Sequence, residues 1–182
     1  GRLSVRGTRS APVVIRGRSV EPVVFDGGQV GLSLEGCAHL VLDSVNVVGA
    51  TRAGLLVAKS ERVTIRNCGF DGPVGIEAAG CSGVEVFHNA LHGGTGLRVE
   101  NVKALHVSGN ILSVVALDGD FPEGLYSDYN CWSPDGFVRT GGSSHDLAAW
   151  RKRSGQDVHS VSARVEFDAP ARGRFYVVDN TA

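Results

Sequence analysis

The chain has no methionine, so it reads as a processed form or as a piece cut from something longer. Long apolar runs are missing as well: none approaches the ~20 residues that span a bilayer, and no charged-then-apolar leader stands at the start. Charge of one sign is scarce. A net charge of −1 and a pI near 6.6 leave no basic footprint for nucleic acid and no polybasic patch for a membrane, so neither partner is expected. Cysteine is sparse: Cys37, Cys68, Cys81 and Cys131 follow no CxxC metal pattern. A chain of 182 residues buries a core without disulfide staples. Free, buried thiols are expected, in one folding unit over residues 1–182.

What the chain has instead is a repeat. With Leu40, Val63, Val84, Leu105 and Leu125 in register, the same short pattern follows each: "LVLDSVNV", "VTIRNCGF", "VEVFHNAL", "LHVSGNIL", "LYSDYNCW". The intervals are 23, 21, 21 and 20 residues. Upstream of the first four lie "GLSL", "GLLV", "GIEA" and "GLRV", with "VVAL" from Val114 or Val115 as a looser fifth member. Within these segments apolar residues alternate with polar ones, the period of a strand with one buried face. Units of about 21 residues, too short for a helix pair, bury that face only by stacking on one another. The spacing therefore predicts an all-β, parallel β-solenoid of two or three strands per coil. The leucine and asparagine spacing of a leucine-rich repeat is missing, and chirality rules for parallel connections favour a right-handed coil.

The pair "PVVIRG" and "PVVFDGG" (12–17 and 22–28), the repeats through residue 113 and the tail segments "YSDYNCW" and "HDLAAWRKRSGQDVHS" within 126–160 carry a family resemblance. The chain resembles the right-handed parallel β-helix superfamily, the pectate-lyase-like fold, and its tail resembles that of bacterial secreted β-helix proteins. The resemblance implies coils over about 1–140, then a short helical cap and a strand pair over about 141–182. It also implies a secreted, periplasmic or cell-surface location and a cap missing from the N-terminus. The chain thus reads as N-terminally truncated, its first coil frayed or covered by a protein partner.

The repeat also sorts the polar residues. Asn89, Asn110 and Asn130 each stand five residues after a register position, with Val45 and Cys68 there in the earlier coils. Stacked asparagines form an amide ladder inside the bend. Coils stack about 4.8 Å apart, so Cys37 and Cys81, two coils apart, lie beyond the ~7 Å reach of a disulfide. The stretch "GVEVFHNALHGG" gathers Glu85, His88, Asn89 and His92, but the coil separates them: Glu85 outward, His88 at the bend, Asn89 inward, His92 past the third strand. A histidine pair at i, i+4 binds metal on a helix and not on a β-coil, so no metal is expected there.

In pectate-lyase-like enzymes the cleft follows the outer face of the first strand. Outward positions there form one row, Ser33, Leu56, Glu77, Arg98 and Ala116, and a second, Glu35, Ala58, Ala79, Glu100 and Asp118. Glu77, Arg98, Glu100 and Asp118 are the candidate catalytic cluster: carboxylates that hold Ca2+ or act as acid and base, and an arginine that clamps a uronate. The bland alternative is a cross-strand ion pair of Glu77 with Arg98, extended by the other two. Glu85, His106 and Tyr126, on the outer second strand, form a second candidate set. Loops around the first-strand face are short ("DGPV", "HGGT"), and the paired aspartates of polygalacturonases and the Asp-Pro-His-Asp of alginate epimerases are missing.

Ser143 with Asp146 reads as a capping box for a helix that carries Leu147 and Trp150 on one face and ends at Gly155. Residues 164–178 read as two strands around a Pro/Gly turn. His145, Asp157, His159 and Ser160 contain hydrolytic residue types but read as structural. Two functions are expected to compete. One is a protein that binds or processes an acidic polysaccharide, lyase- or hydrolase-like if catalytic; the other is a non-catalytic structural or protein-interaction solenoid.

Overall fold

The computed structural model describes residues 1–17, 23–122 and 124–178; Pro22, the start of "PVVFDGG", lies outside them, as do residues 179–182. The chain is an all-β parallel solenoid of about 6 turns with coils of ~21 residues. Six strands stack in parallel as the second-strand sheet: Val13–Arg16, Ala38–Asp43, Glu61–Arg66, Ser82–Phe87, Lys103–Ser108 and Leu125–Asp128. Leu40, Val63, Val84, Leu105 and Leu125 are direct partners through it, so the sequence repeat is the spatial register.

First and third strands belong to one 13-stranded sheet that turns a corner. Two strands, Gly69–Ala79 and Ala90–Glu100, run unbroken through that corner, so "DGPV" and "HGGT" are strand and not loop. Gly93 makes this possible: its φ is 107°, and a β-carbon there would stand 2.2 Å from the Gly72 carbonyl oxygen. At the start of the first strand, β-carbons on Gly54, Gly75 and Gly96 would stand 2.9, 2.8 and 2.9 Å from the carbonyl of the next coil. Ala116 takes this place in the fifth coil, and the pairs Leu97↔Leu117 and Arg98↔Asp118 follow. The fifth member is therefore "ALDG" and not "VVAL". Asp118 moves into the row of Arg98, and Ala116, expected to face outward, is fully buried.

Stacked Leu, Ile and Val from all three walls fill the core, each fully buried side chain stabilising by roughly 1.5–3 kcal/mol. The first coil is paired rather than frayed, its strands Arg2–Leu3, Val13–Arg16 and Val23–Asp26 each bonded to the coil above. Its inward residues Leu3, Val5, Val13, Ile15 and Phe25 are only partly covered.

The asparagine ladder forms as expected and is longer than expected. Asn89 Oδ1 accepts from the Cys68 amide (3.0 Å), Asn110 Oδ1 from the Asn89 amide (2.9 Å) and Asn130 Oδ1 from the Asn110 amide (3.0 Å). Beyond the last asparagine, Ser160 Oγ accepts from the Asn130 amide at 2.9 Å, so the tail supplies a final rung. Asp157, fully buried, holds that rung. Its Oδ1 accepts from Ser160 Oγ (2.6 Å), Asn130 Nδ2 (3.1 Å) and Trp132 Nε1 (3.3 Å), and its Oδ2 from Trp150 Nε1 (3.1 Å).

The tail caps the core and then turns back. A hairpin, Phe137–Thr140 with Ser143–Asp146, leads into the helix Leu147–Ser154. Ser143 is in this hairpin and is not the cap. The helix begins one turn later on Asp146, whose side chain accepts from the Ala149 amide at 2.7 Å, and it ends on Gly155 at φ 70°. Trp150 enters the core and meets Phe121 edge-on. The two strands Phe167–Ala169 and Arg174–Val177 then form a strap along the third-strand face. It reaches the second coil, where Asn46 Nδ2 donates to the Gly173 carbonyl at 2.6 Å.

Candidate functional site

Outward residues of the first strand form one row: Arg2, Ser33, Leu56, Glu77, Arg98, Asp118 and Arg139 are successive partners. Charge alternates along its later half. Arg98 Nε donates to Asp118 Oδ2 at 3.2 Å, and Arg139 Nη1 approaches the same oxygen at 3.8 Å. Asp118 is 15% exposed, against 43% and 49% for the two arginines, so the carboxylate sits low while both guanidinium groups face solvent.

Glu77 neighbours Arg98 in register but pairs elsewhere. Arg52, which precedes the strand Ala53–Ala58, donates to both its carboxylate oxygens at 3.1 Å. The expected Glu77–Arg98 pair is thus replaced by Arg52–Glu77 and Arg98–Asp118–Arg139. Glu100 stays in the second row beside Ala79, exposed at the rim. Arg98, Glu100 and Asp118 share an open cavity of about 620 Å³ with Asn101, Asp120 and Arg139. Its far wall is Thr140, Gly141 and Gly142, the turn of the hairpin 137–146. Arg139 was legible as one further interval of 21 residues beyond Asp118. Arg52 lies outside any strand period and carried no such signal.

Glu77 and Asp118 do not suit Ca2+. Asp118 is shared by two guanidinium groups and Glu77 is chelated by a third, which leaves few free oxygens for a cation that takes 6–8. Among the described residues no group of three or more His, Cys, Asp or Glu is placed to hold a metal.

The second set is also a row: Glu85 pairs with His106, and His106 with Tyr126. Glu85 Oε2 accepts from Thr64 Oγ1 at 2.8 Å. His106 meets Tyr126 edge-on at 4.4 Å and Phe87 at 4.7 Å. Partial desolvation, with the nearby Asp128 carboxylate, pushes the Tyr126 phenol above its ordinary pKa.

Other chemistry-bearing residues have structural work. His92 Nδ1 lies 2.8 Å from Asp71 Oδ1, beneath the edge of Phe167 from the strap. It shares no cluster with His88. His159 bonds Asp128 through both its amide and Nδ1, at 2.7 Å each, and stacks on Tyr129. Against the upward push of burial, these bonds hold the Asp128 carboxyl below its ordinary pKa. Ser160 donates its proton to Asp157, and His145 is on the hairpin, so the tail assembles no hydrolytic triad. All four cysteines are free thiols. Ser60 stands between Cys37 and Cys81 in the stack, its Oγ accepting from the Cys37 amide at 3.0 Å. Burial pushes the Cys68 thiol up to about 12, so it is inert.

A family model described as "right handed beta helix region" matches residues 5–132. No curated protein matches the chain. Among solved structures, an alginate lyase from Paenibacillus sp. str. FPU-7 is similar at 12% identity and a TM-score of 0.50, over 76% of this chain and 56% of that one. The chain therefore spans little more than half the length of that structure, and the likeness is one of fold. The parallel coils, the register of the repeat and the span of the family match lead to one conclusion: the chain belongs to the right-handed β-helix family.

Proposed function

We propose that this β-helix binds an acidic polysaccharide along the outer face of its first strands, with Arg98 and Arg139 as the carboxylate contacts. One observation carries the reading: two half-exposed guanidinium groups flank Asp118 above a cavity of about 620 Å³. They stand two coils apart, roughly 9.6 Å at the spacing of parallel strands. In a polyuronate extended as a two-fold ribbon, carboxylates facing one way recur every second sugar, a comparable distance. Asp118 acts by positioning both arginines. The row itself favours binding over cleavage, because both of its carboxylates, Glu77 and Asp118, are already ion-paired; among the described residues, Glu100 and Asp120 are the cavity groups left to serve as base if the polymer is cleaved.

Calorimetric titration with pectate, alginate and a glycosaminoglycan, with calcium and with chelator, tests the reading against a neutral polysaccharide. Charge-assisted hydrogen bonds contribute about 1.5–3 kcal/mol each, so Arg98→Ala with Arg139→Ala is expected to weaken polyuronate binding at least ~10-fold. Unchanged affinity in the double variant overturns the assignment. Release of unsaturated uronate ends would replace binding by lyase action.

A further inference from the structure

The outer face of the second-strand sheet holds two cations that the rest of the fold leaves unused. Arg2, Arg6, Arg16, Arg52, Arg66, Arg98 and Arg139 each reach a carboxylate. Arg62 and Lys103 have no ion-pair partner among the described residues, although both line one cavity of about 490 Å³ with Glu85. The backbone explains how they meet. At the second position of four of the six strands, His39, Arg62, Gly83 and Ala104 have φ of 49°, 52°, 67° and 56°, a repeated kink that breaks the in-out alternation. The small residues Gly83 and Ala104 follow Arg62 in this column, and the Arg62 stem lies against Gly83, its Cγ 3.6 Å from where a β-carbon would stand. Lys103 enters from the next coil as the direct partner of Ser82.

The cavity therefore opens between a guanidinium and an ammonium group, over a floor with almost no side chain. Its remaining polar groups are the Ser82 and Thr64 hydroxyls and the Glu85 carboxylate, which Thr64 orients at 2.8 Å. The same row continues along the solenoid axis: His106 is the register partner of Glu85, and Tyr126, 43% exposed, that of His106. Cations for an anionic group, a carboxylate to accept from hydroxyls, and a half-buried and an exposed ring at successive coils are the complement of a charged sugar followed by further sugar units.

We propose that this face is a second, separate site for an anionic oligosaccharide, in which Arg62 and Lys103 take a sugar-borne carboxylate or sulfate and His106 and Tyr126 take the adjoining unit. The site does not depend on the first-strand reading, because it shares no residue with that face. Its test is heteronuclear NMR on the whole chain, titrated separately with a galacturonate trimer, a sulfated disaccharide and a neutral oligosaccharide. Saturable shifts are expected at the Gly83 and Ala104 amides and the His106 ring with one or both anionic sugars and not with the neutral one. Arg62→Gln with Lys103→Gln, both at exposed positions, should weaken this response at least ~10-fold and keep a native amide spectrum. Arg98→Ala with Arg139→Ala should leave it unchanged. No saturable shift at these positions with either anionic sugar, or a response that Arg62→Gln with Lys103→Gln leaves intact, overturns the proposal.

Discussion

Asp43 shows what a single residue does at the edge of this solenoid. Its side chain is 5% exposed, and Oδ2 is gripped by Arg16 at 2.8 Å and Arg66 at 3.1 Å. Oδ1 accepts from Asn67 Nδ2 and Ser44 Oγ, both at 3.0 Å. Burial alone would raise its pKa, but these hydrogen bonds outweigh burial and hold it at about 2. A carboxylate whose pKa is lower folded than unfolded stabilises the fold above the unfolded value, near 4, and that contribution fades as pH falls toward 2. The lost stability is on the order of 2 kcal/mol. Urea midpoints of wild type and Asp43→Asn should therefore converge between about pH 5 and about pH 2; a gap that stays constant over that range contradicts the linkage.

At the scale of the element, the bend between second and third strands is held by its ladder. Asn110 Nδ2 donates to the Val86 carbonyl at 2.8 Å, while its Oδ1 takes the Asn89 amide and side chain at 2.9 and 3.0 Å. Asn110→Ala leaves these buried groups without partners, an expected loss of about 1–3 kcal/mol in denaturant unfolding. A neutral Asn110→Ala would remove the ladder from the account of stability. This element was legible because identical residues recur at one position. Its two ends were not: Cys68 contributes only a backbone N–H, and Ser160 arrives from 30 residues beyond Asn130. The helix was likewise visible in Asp146, Trp150 and Gly155, yet Ser143 resembled its cap. Four residues of hairpin strand end where the helix begins, and only the pairing of Thr140 with Ser143 tells strand from cap.

Across the whole molecule, stability passes from coil to coil, so the ends carry the weight. The tail closes one end through Trp132, Trp150 and the buried Asp157, and its strap ties the last coils back to Asn46. At the other end Leu3, Val5, Ile15 and Phe25 are only partly covered. Asp157→Ala leaves the Trp132 and Trp150 indole N–H groups and the Ser160 hydroxyl without their buried acceptor, an expected loss of about 1–3 kcal/mol in denaturant unfolding. A neutral Asp157→Ala would remove the tail cap from the account of stability.

The sequence by itself determined the solenoid, its coil length, the sheet that carries each row and the ladder inside the bend, because a period of about 21 residues repeats one physical solution in each coil. Only the tertiary structure decided which charges meet. Asp118 joined Arg98 because Ala116, and not Val114 or Val115, occupies the tight corner above Gly96. Glu77 went to Arg52, and Arg62 came to share a cavity with Lys103, because long side chains find partners by distance across coils rather than by position within one. Period sets the backbone, and the packing of neighbouring coils sets the surface on which function is proposed.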